Sequence, residues 1–233
     1  MSCKENYLEV LDKVKKDLEK AGRDISECTL VAVSKTKPLE LLKEAYDAGC
    51  RDFGENYVQE LVDKIPNMPE DVRWHMIGHL QTNKVKYLIG KTYLIHSVDT
   101  VKLAKEIGKQ SEKAGIVTDI LLEVNVAEEE SKFGFTADNI MDGVREIAKI
   151  PGVCIKGLMT SAPICEDSEE NRVYFRKLKQ LSIDIKKQNI DNVYMGFLSM
   201  GMSGDYEVAL SEGSTYVRVG TAIFGERDYS KKN

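Results

Sequence analysis

The chain reads as an α/β protein, a (β/α)8 barrel of parallel strands wrapped by helices and preceded by one extra helix. Short β-branched runs alternate with helical stretches from Cys28 onward, eight such runs can be placed, and no linker or second block of strands breaks the alternation. Alternation of this kind calls for helical crossovers between parallel strands. Eight units in about 200 residues suit the compact end of the barrel fold, with a doubly wound open sheet as the rival.

Tyr7, Leu11, Val14 and Leu18 recur at helical spacing, so an amphipathic helix opens the chain and ends near Gly22. It is expected to pack outside the barrel or across one end. The first strand is placed at 29–35, TLVAVSK, followed by a helix over 38–47 that Pro38 opens and Gly49 stops, with Leu39, Leu42 and Tyr46 inward. Further strands are expected at 52–53, 72–77, 93–98, 120–126, 153–159, 193–198 and 216–219. A helix over 100–113 takes Asp99 as its cap, and one over 172–187 gathers Tyr174, Leu178, Leu181 and Ile185 on one face.

With 233 residues, 42% of them hydrophobic and 30% charged, the chain fits one domain spanning 1–233. A formal charge of −5 leaves no basic footprint, which argues against nucleic-acid binding. The five cysteines form an odd set without a C-x-x-C pair, as expected of reduced thiols in the cytoplasm. The first ten residues, MSCKENYLEV, mix polar and charged residues rather than form an apolar signal core, and no apolar run nears the ~18 residues of a membrane span.

Chemistry in a parallel barrel gathers where strands end at their carboxyl side. Lys35 ends the first strand and shares parity with Val31 and Val33; a surface charge and a working amine are both open readings of it. Asn56 and His79 follow the second and third strands in polar loops, as ligand contacts or as cap and turn residues. His75 and His79 make no metal pair, since four residues along a strand separate side chains by roughly 13 Å. Gly90-Lys91-Thr92 lacks the first glycine of a Walker loop and is set aside.

The seventh and eighth strand ends carry more. The segment from Leu198 to Asp205, LSMGMSGD, puts small and hydroxyl residues where a helix is expected to begin, as an anion site requires. Tyr216 to Thr221 supplies Arg218, then a glycine, then a hydroxyl. Read singly, the glycines are turn residues and Arg218 pairs with a structural carboxylate. Read together, the two loops favour a phosphate, and with Lys35 they favour pyridoxal phosphate.

AVSKTKP, FGENYVQE, HMIGHLQTNK, GLMT, LSMGMSGD and GSTYVRVGTAIFG, in this order, together resemble the pyridoxal phosphate homeostasis protein family, itself similar to the N-terminal barrel of alanine racemase. The resemblance runs from about Leu30 to Tyr229. It implies a barrel holding pyridoxal 5′-phosphate (PLP) as an internal aldimine on Lys35 rather than Lys37. It also implies phosphate contacts from Ser203, Gly220 and Thr221, with Ser199 and Gly201 as further candidates, Arg218 facing the pyridine nitrogen, and Asn56 beside the ring.

A guanidinium stays protonated and donates, so opposite the ring nitrogen it leaves a weaker electron sink than a carboxylate does. Racemases similar to this barrel take their second base, a tyrosine, from a separate β domain and a partner subunit. The chain is expected to stop at 231–233 without such a domain, leaving the cofactor face open. The expected function is therefore intracellular PLP homeostasis, by buffering or delivery, without catalytic residues or metal. PLP and PLP-dependent apoenzymes are the expected partners, with no nucleic acid or membrane, and the chain is expected to be a monomer. The runner-up is a PLP-dependent amino-acid racemase using Lys35 and an unidentified second base; a cofactor-free Schiff-base aldolase is a third reading.

Overall fold

The computed structural model describes residues 2–226, so the expected end of the resemblance at 229 and the terminus at 231–233 lie outside the described residues. Eight parallel strands close into a barrel in chain order: β1 Thr29–Val33, β2 Asp52–Glu55, β3 Arg73–Met76, β4 Leu94–Val98, β5 Thr118–Glu123, β6 Val153–Met159, β7 Val193–Met202 and β8 Tyr216–Val219. β1 pairs with β8 to complete the ring. The helices are α1 Cys3–Lys20, α2 Leu39–Asp47, α3 Val58–Lys64, α4 Val101–Ala114, α5 Ile140–Ile147, α6 Arg172–Lys186, α7 Tyr206–Ser211 and α8 Thr221–Phe224. No helix among the described residues is long and apolar enough to cross a membrane.

Strand alternation sorts the side chains into two cores. Leu30, Ala32, Trp74, Met76, Ile95, Leu122, Leu158, Leu198 and Val217 point outward into a large apolar layer shared with the helices. Val31, Leu94, Leu121, Met159 and Tyr216 point into the barrel and form a separate, much smaller cluster. Polar side chains share the interior with them: His75, His96, Ser199 and Arg218 are all buried there.

α1 packs outside the barrel. Its Asn6 Nδ2 donates to Ile223 O at 3.1 Å, and Glu44 accepts from the Cys3 backbone N–H at 3.1 Å, so α1 bridges α8 and α2 across the β8–β1 seam. α2 begins one residue after Pro38, which occupies the N-cap position. α6 buries Phe175, Leu178, Ser182 and Ile185, while Tyr174 and Leu181 flank that stripe, half-buried.

Three sequence expectations shift. The first strand stops at Val33, and Lys35 sits beyond it in a turn. The cap of α4 is Thr100, whose Oγ1 accepts from Leu103 N at 3.2 Å, because β4 ends at Val98 and leaves Asp99 free to pair with His79. β7 continues to Met202 where a loop was expected, since its ladder to β8 resumes past an irregularity between Ser199 and Met202. Gly201 fits there with φ +93° while a Cβ would come within 2.6 Å of Ala209 Cβ, so the glycine serves a bulged strand packed on α7.

Candidate functional site

A cavity of about 320 Å³ opens at the carboxyl end of the barrel. Lys35 and Lys37 line it from the turn after β1, Asn56 from the turn after β2, Ser203 and Gly204 from the segment after β7, and Gly220 and Thr221 from the junction of β8 with α8. Arg218 reaches it from inside the barrel, and Ser161, Val33, Ile77 and Met202 complete much of the wall. Two of these segments meet directly: Gly220 N donates to Ser203 Oγ at 3.3 Å.

The turn that carries Lys35 is fixed from below. Ser34 Oγ donates to Glu55 Oε1 at 2.6 Å, Lys64 Nζ donates to Ser34 O and Glu55 Oε1, both at 2.8 Å, and Glu60 Oε1 accepts from Lys64 Nζ and from Thr36 N, both at 2.6 Å. Thr36 is thereby held at φ +62°, a left-handed conformation that a β-branched residue adopts only when its surroundings impose it. Glu55 is fully buried, and burial pushes its carboxyl up despite the opposing pull of Lys64 and Ser34.

Lys37 has a different task from its neighbour. Its ammonium donates to Gly225 O at 2.9 Å and to Glu226 O at 2.6 Å, tying the chain beyond α8 to the rim of the cavity.

Arg218 is 5% exposed. Its Nη1 donates to Ser199 Oγ at 2.6 Å and its Nη2 to Thr160 O at 2.8 Å, and burial pushes its pKa down to about 10, against the pull of Asp205 and Glu123. The carboxylate partner considered from sequence is replaced by a hydroxyl and a carbonyl. Glu123 ends β5 nearby, where burial and then Asp99 push it up to about 7.

Of the residues singled out from sequence, Lys35, Asn56, Ser203, Arg218, Gly220 and Thr221 share this cavity. Ser199 and Gly201 are not among its lining residues: Ser199 is fully buried behind Arg218, and Gly201 faces α7. His79 sits on the rim, its Nδ1 3.0 Å from Asp99 Oδ2 and its ring stacked on Phe133. Next to it, Gly78 permits close approach to Asn56, whose carbonyl oxygen would lie 2.5 Å from a Cβ there. Among the described residues no cluster of ligating side chains suits a metal. Sequence reading missed Ser161, the Lys64 network and the Lys37 strap; the hydroxyl pair Thr160-Ser161 after the sixth strand was the one local signal available.

The donor set has a definite character. Two amines, three side-chain hydroxyls, the backbone of three glycines and a buried guanidinium converge on one cavity, which suits an anion joined to a group able to react with an amine.

Comparison with known proteins agrees with this geometry. The family profile for the alanine racemase N-terminal domain matches residues 10–228. The pyridoxal phosphate homeostasis protein of Aquifex aeolicus is 46% identical over 230 residues, covering 98% of this chain and all of that one. PipY of Synechococcus elongatus, solved with PLP bound, superposes with a TM-score of 0.79 at 31% identity, covering 91% of this chain and 100% of that one. Alanine racemase of Clostridium difficile shares the fold alone, with a TM-score of 0.73 at 12% identity, covering 94% of this chain and 57% of that one. With matches that run nearly end to end, the chain belongs to the alanine racemase N-terminal domain family and, within it, to the pyridoxal phosphate homeostasis proteins.

Proposed function

We propose that this protein binds PLP reversibly in the barrel-mouth cavity and buffers or delivers it, rather than turning over a substrate. The observation that carries the reading is the convergence of Lys35 with Ser203, Gly220 and Thr221, which lie far apart in the chain, on one cavity. PLP supplies an aldehyde that condenses reversibly with an amine and a phosphate that anchors the ring. Lys35 is the amine, held by a braced turn; Lys37 is committed to Gly225 and Glu226. Ser203 and Thr221 offer hydroxyls, and the backbone at Gly204 and Gly220 offers close approach, for the phosphate. Asn56 flanks the ring.

Arg218 meets the ring nitrogen as a donor. A guanidinium there withholds the proton a strong electron sink needs, which favours storage over carbanion chemistry. The names of the curated relatives and the PLP-bound PipY structure support the same reading.

The test is direct. Purified protein should absorb near ~420 nm as an imine of a lysine does, borohydride should abolish the band, and peptide mass spectrometry should then find the pyridoxyl group on Lys35. A label on Lys37, or none, refutes the assignment. Steady racemisation of alanine or serine that scales with protein and vanishes in Lys35→Ala would select the racemase instead.

A further inference from the structure

We propose that Asp52, His75, His96 and Ser199 form a one-way string of hydrogen bonds through the barrel interior that fixes the Arg218 guanidinium against the cofactor ring, making Ser199 and His96 positioning residues; this rests on the PLP reading above.

The direction of the string follows from the donors. A guanidinium only donates, so Ser199 Oγ, 2.6 Å from Arg218 Nη1, accepts. The Ser199 proton then goes to His96 Nδ1 at 2.8 Å, which leaves His96 protonated on Nε2. That Nε2–H donates to His75 Nδ1 at 2.9 Å, and His75 in turn donates through Nε2 to Asp52 Oδ1 at 3.0 Å. Asp52 also accepts from Arg73 Nε at 2.8 Å and Nη2 at 2.5 Å, at the opposite end of the barrel from the cavity.

Reversing the string requires a protonated Asp52 beside Arg73 and leaves the Ser199 hydroxyl proton without an acceptor. Burial raises the Asp52 carboxyl, but His75 and Arg73 outweigh it and hold it below the ordinary range; burial keeps both histidines neutral. His75, His96 and Ser199 are fully buried, so no water competes for these bonds. A string that merely filled the interior could be replaced by aliphatic side chains like the Leu94 and Leu121 beside it. This one ends on the guanidinium at the cavity, whose second anchor, Thr160 O, fixes the guanidinium plane.

The experiment reads Arg218 first in cofactor-free protein, by long-range 1H–15N correlation. His75 and His96 should both be neutral rings protonated on Nε2, and the Arg218 Nη signals should be resolved by slow rotation. Ser199→Ala should merge those signals and weaken PLP retention about tenfold in equilibrium dialysis, the worth of one bond to a charged group; Ser199→Thr, which keeps the hydroxyl, should recover both. If Ser199→Ala does not fold, His96→Leu cuts the string one bond further on and should loosen Arg218 in the same way. A ring protonated on Nδ1, or Arg218 signals unchanged by the cut, overturns the proposal. Wild-type protein that takes up no PLP refutes the binding reading instead, and the Arg218 signals then decide the string alone.

Discussion

Glu123→Gln should remove a pH dependence from the stability of the barrel. Burial, with Asp99 next in weight, pushes the Glu123 carboxyl from its ordinary 4.5 to about 7, while Arg218 and Lys132 pull it partway back. In the unfolded chain the proton leaves near the ordinary value, and in the fold it stays on to about 7, so between these values the folded chain carries the extra proton. Stability from this group is therefore complete below the unfolded value and is lost as pH rises through the folded one. At about 1.4 kcal/mol per pKa unit the full difference is about 3 kcal/mol. Glutamine has the shape of the neutral carboxyl and does not titrate, so the variant should exceed wild type by about 2–3 kcal/mol at pH 8.5 and match it within about 0.5 kcal/mol near pH 4.5. Urea unfolding of cofactor-free protein at the two pH values measures both differences. Parallel pH dependence in the two proteins would show that Glu123 ionises normally and that the electrostatics assigned to the barrel mouth are wrong.

Lys64→Met strands the buried Glu55 and withdraws a donor from Ser34 O, so urea unfolding should register a loss of about 3–5 kcal/mol, with Glu55→Gln added to it recovering part; a change under about 1 kcal/mol would mean the turn under Lys35 does not depend on the pair. Gly157→Ala drives a methyl into the backbone of Phe197 where β6 meets β7, and should cost more than about 3 kcal/mol, seen as a lowered melting temperature or lost soluble yield. A wild-type melt there would contradict the strand spacing.

The barrel was legible because its outer layer is written locally. Apolar runs such as Leu30–Ala32 and Ile120–Leu122 mark strands covered on both faces, their first and last residues turned outward and the middle one inward, and helices such as α6 show their stripe. The cavity lining was legible for a related reason: the topology places every strand end on one rim, so Lys35, Ser203, Arg218, Gly220 and Thr221 could be expected there without knowing contacts. What stayed hidden depends on distance in sequence. His96 meets Ser199 across 103 positions, and no local pattern distinguishes a histidine facing inward from one facing out. Gly201 is ambiguous for another reason, since a glycine at positive φ serves a bulged strand as readily as a loop, and only its packing on α7 shows the strand.

The polar interior also governs how the ring of strands closes. Because side chains alternate, sliding β4 by one residue against β3 would swing His96 out among the helices and turn Ile95 or Ser97 inward, leaving His75 and Ser199 without the imidazole that joins them. An all-aliphatic interior would forgive such a slip, one leucine replacing another. Here a misaligned closure buries several unpaired heteroatoms at once, so the same residues that fill the middle of the barrel act as a key to its alignment.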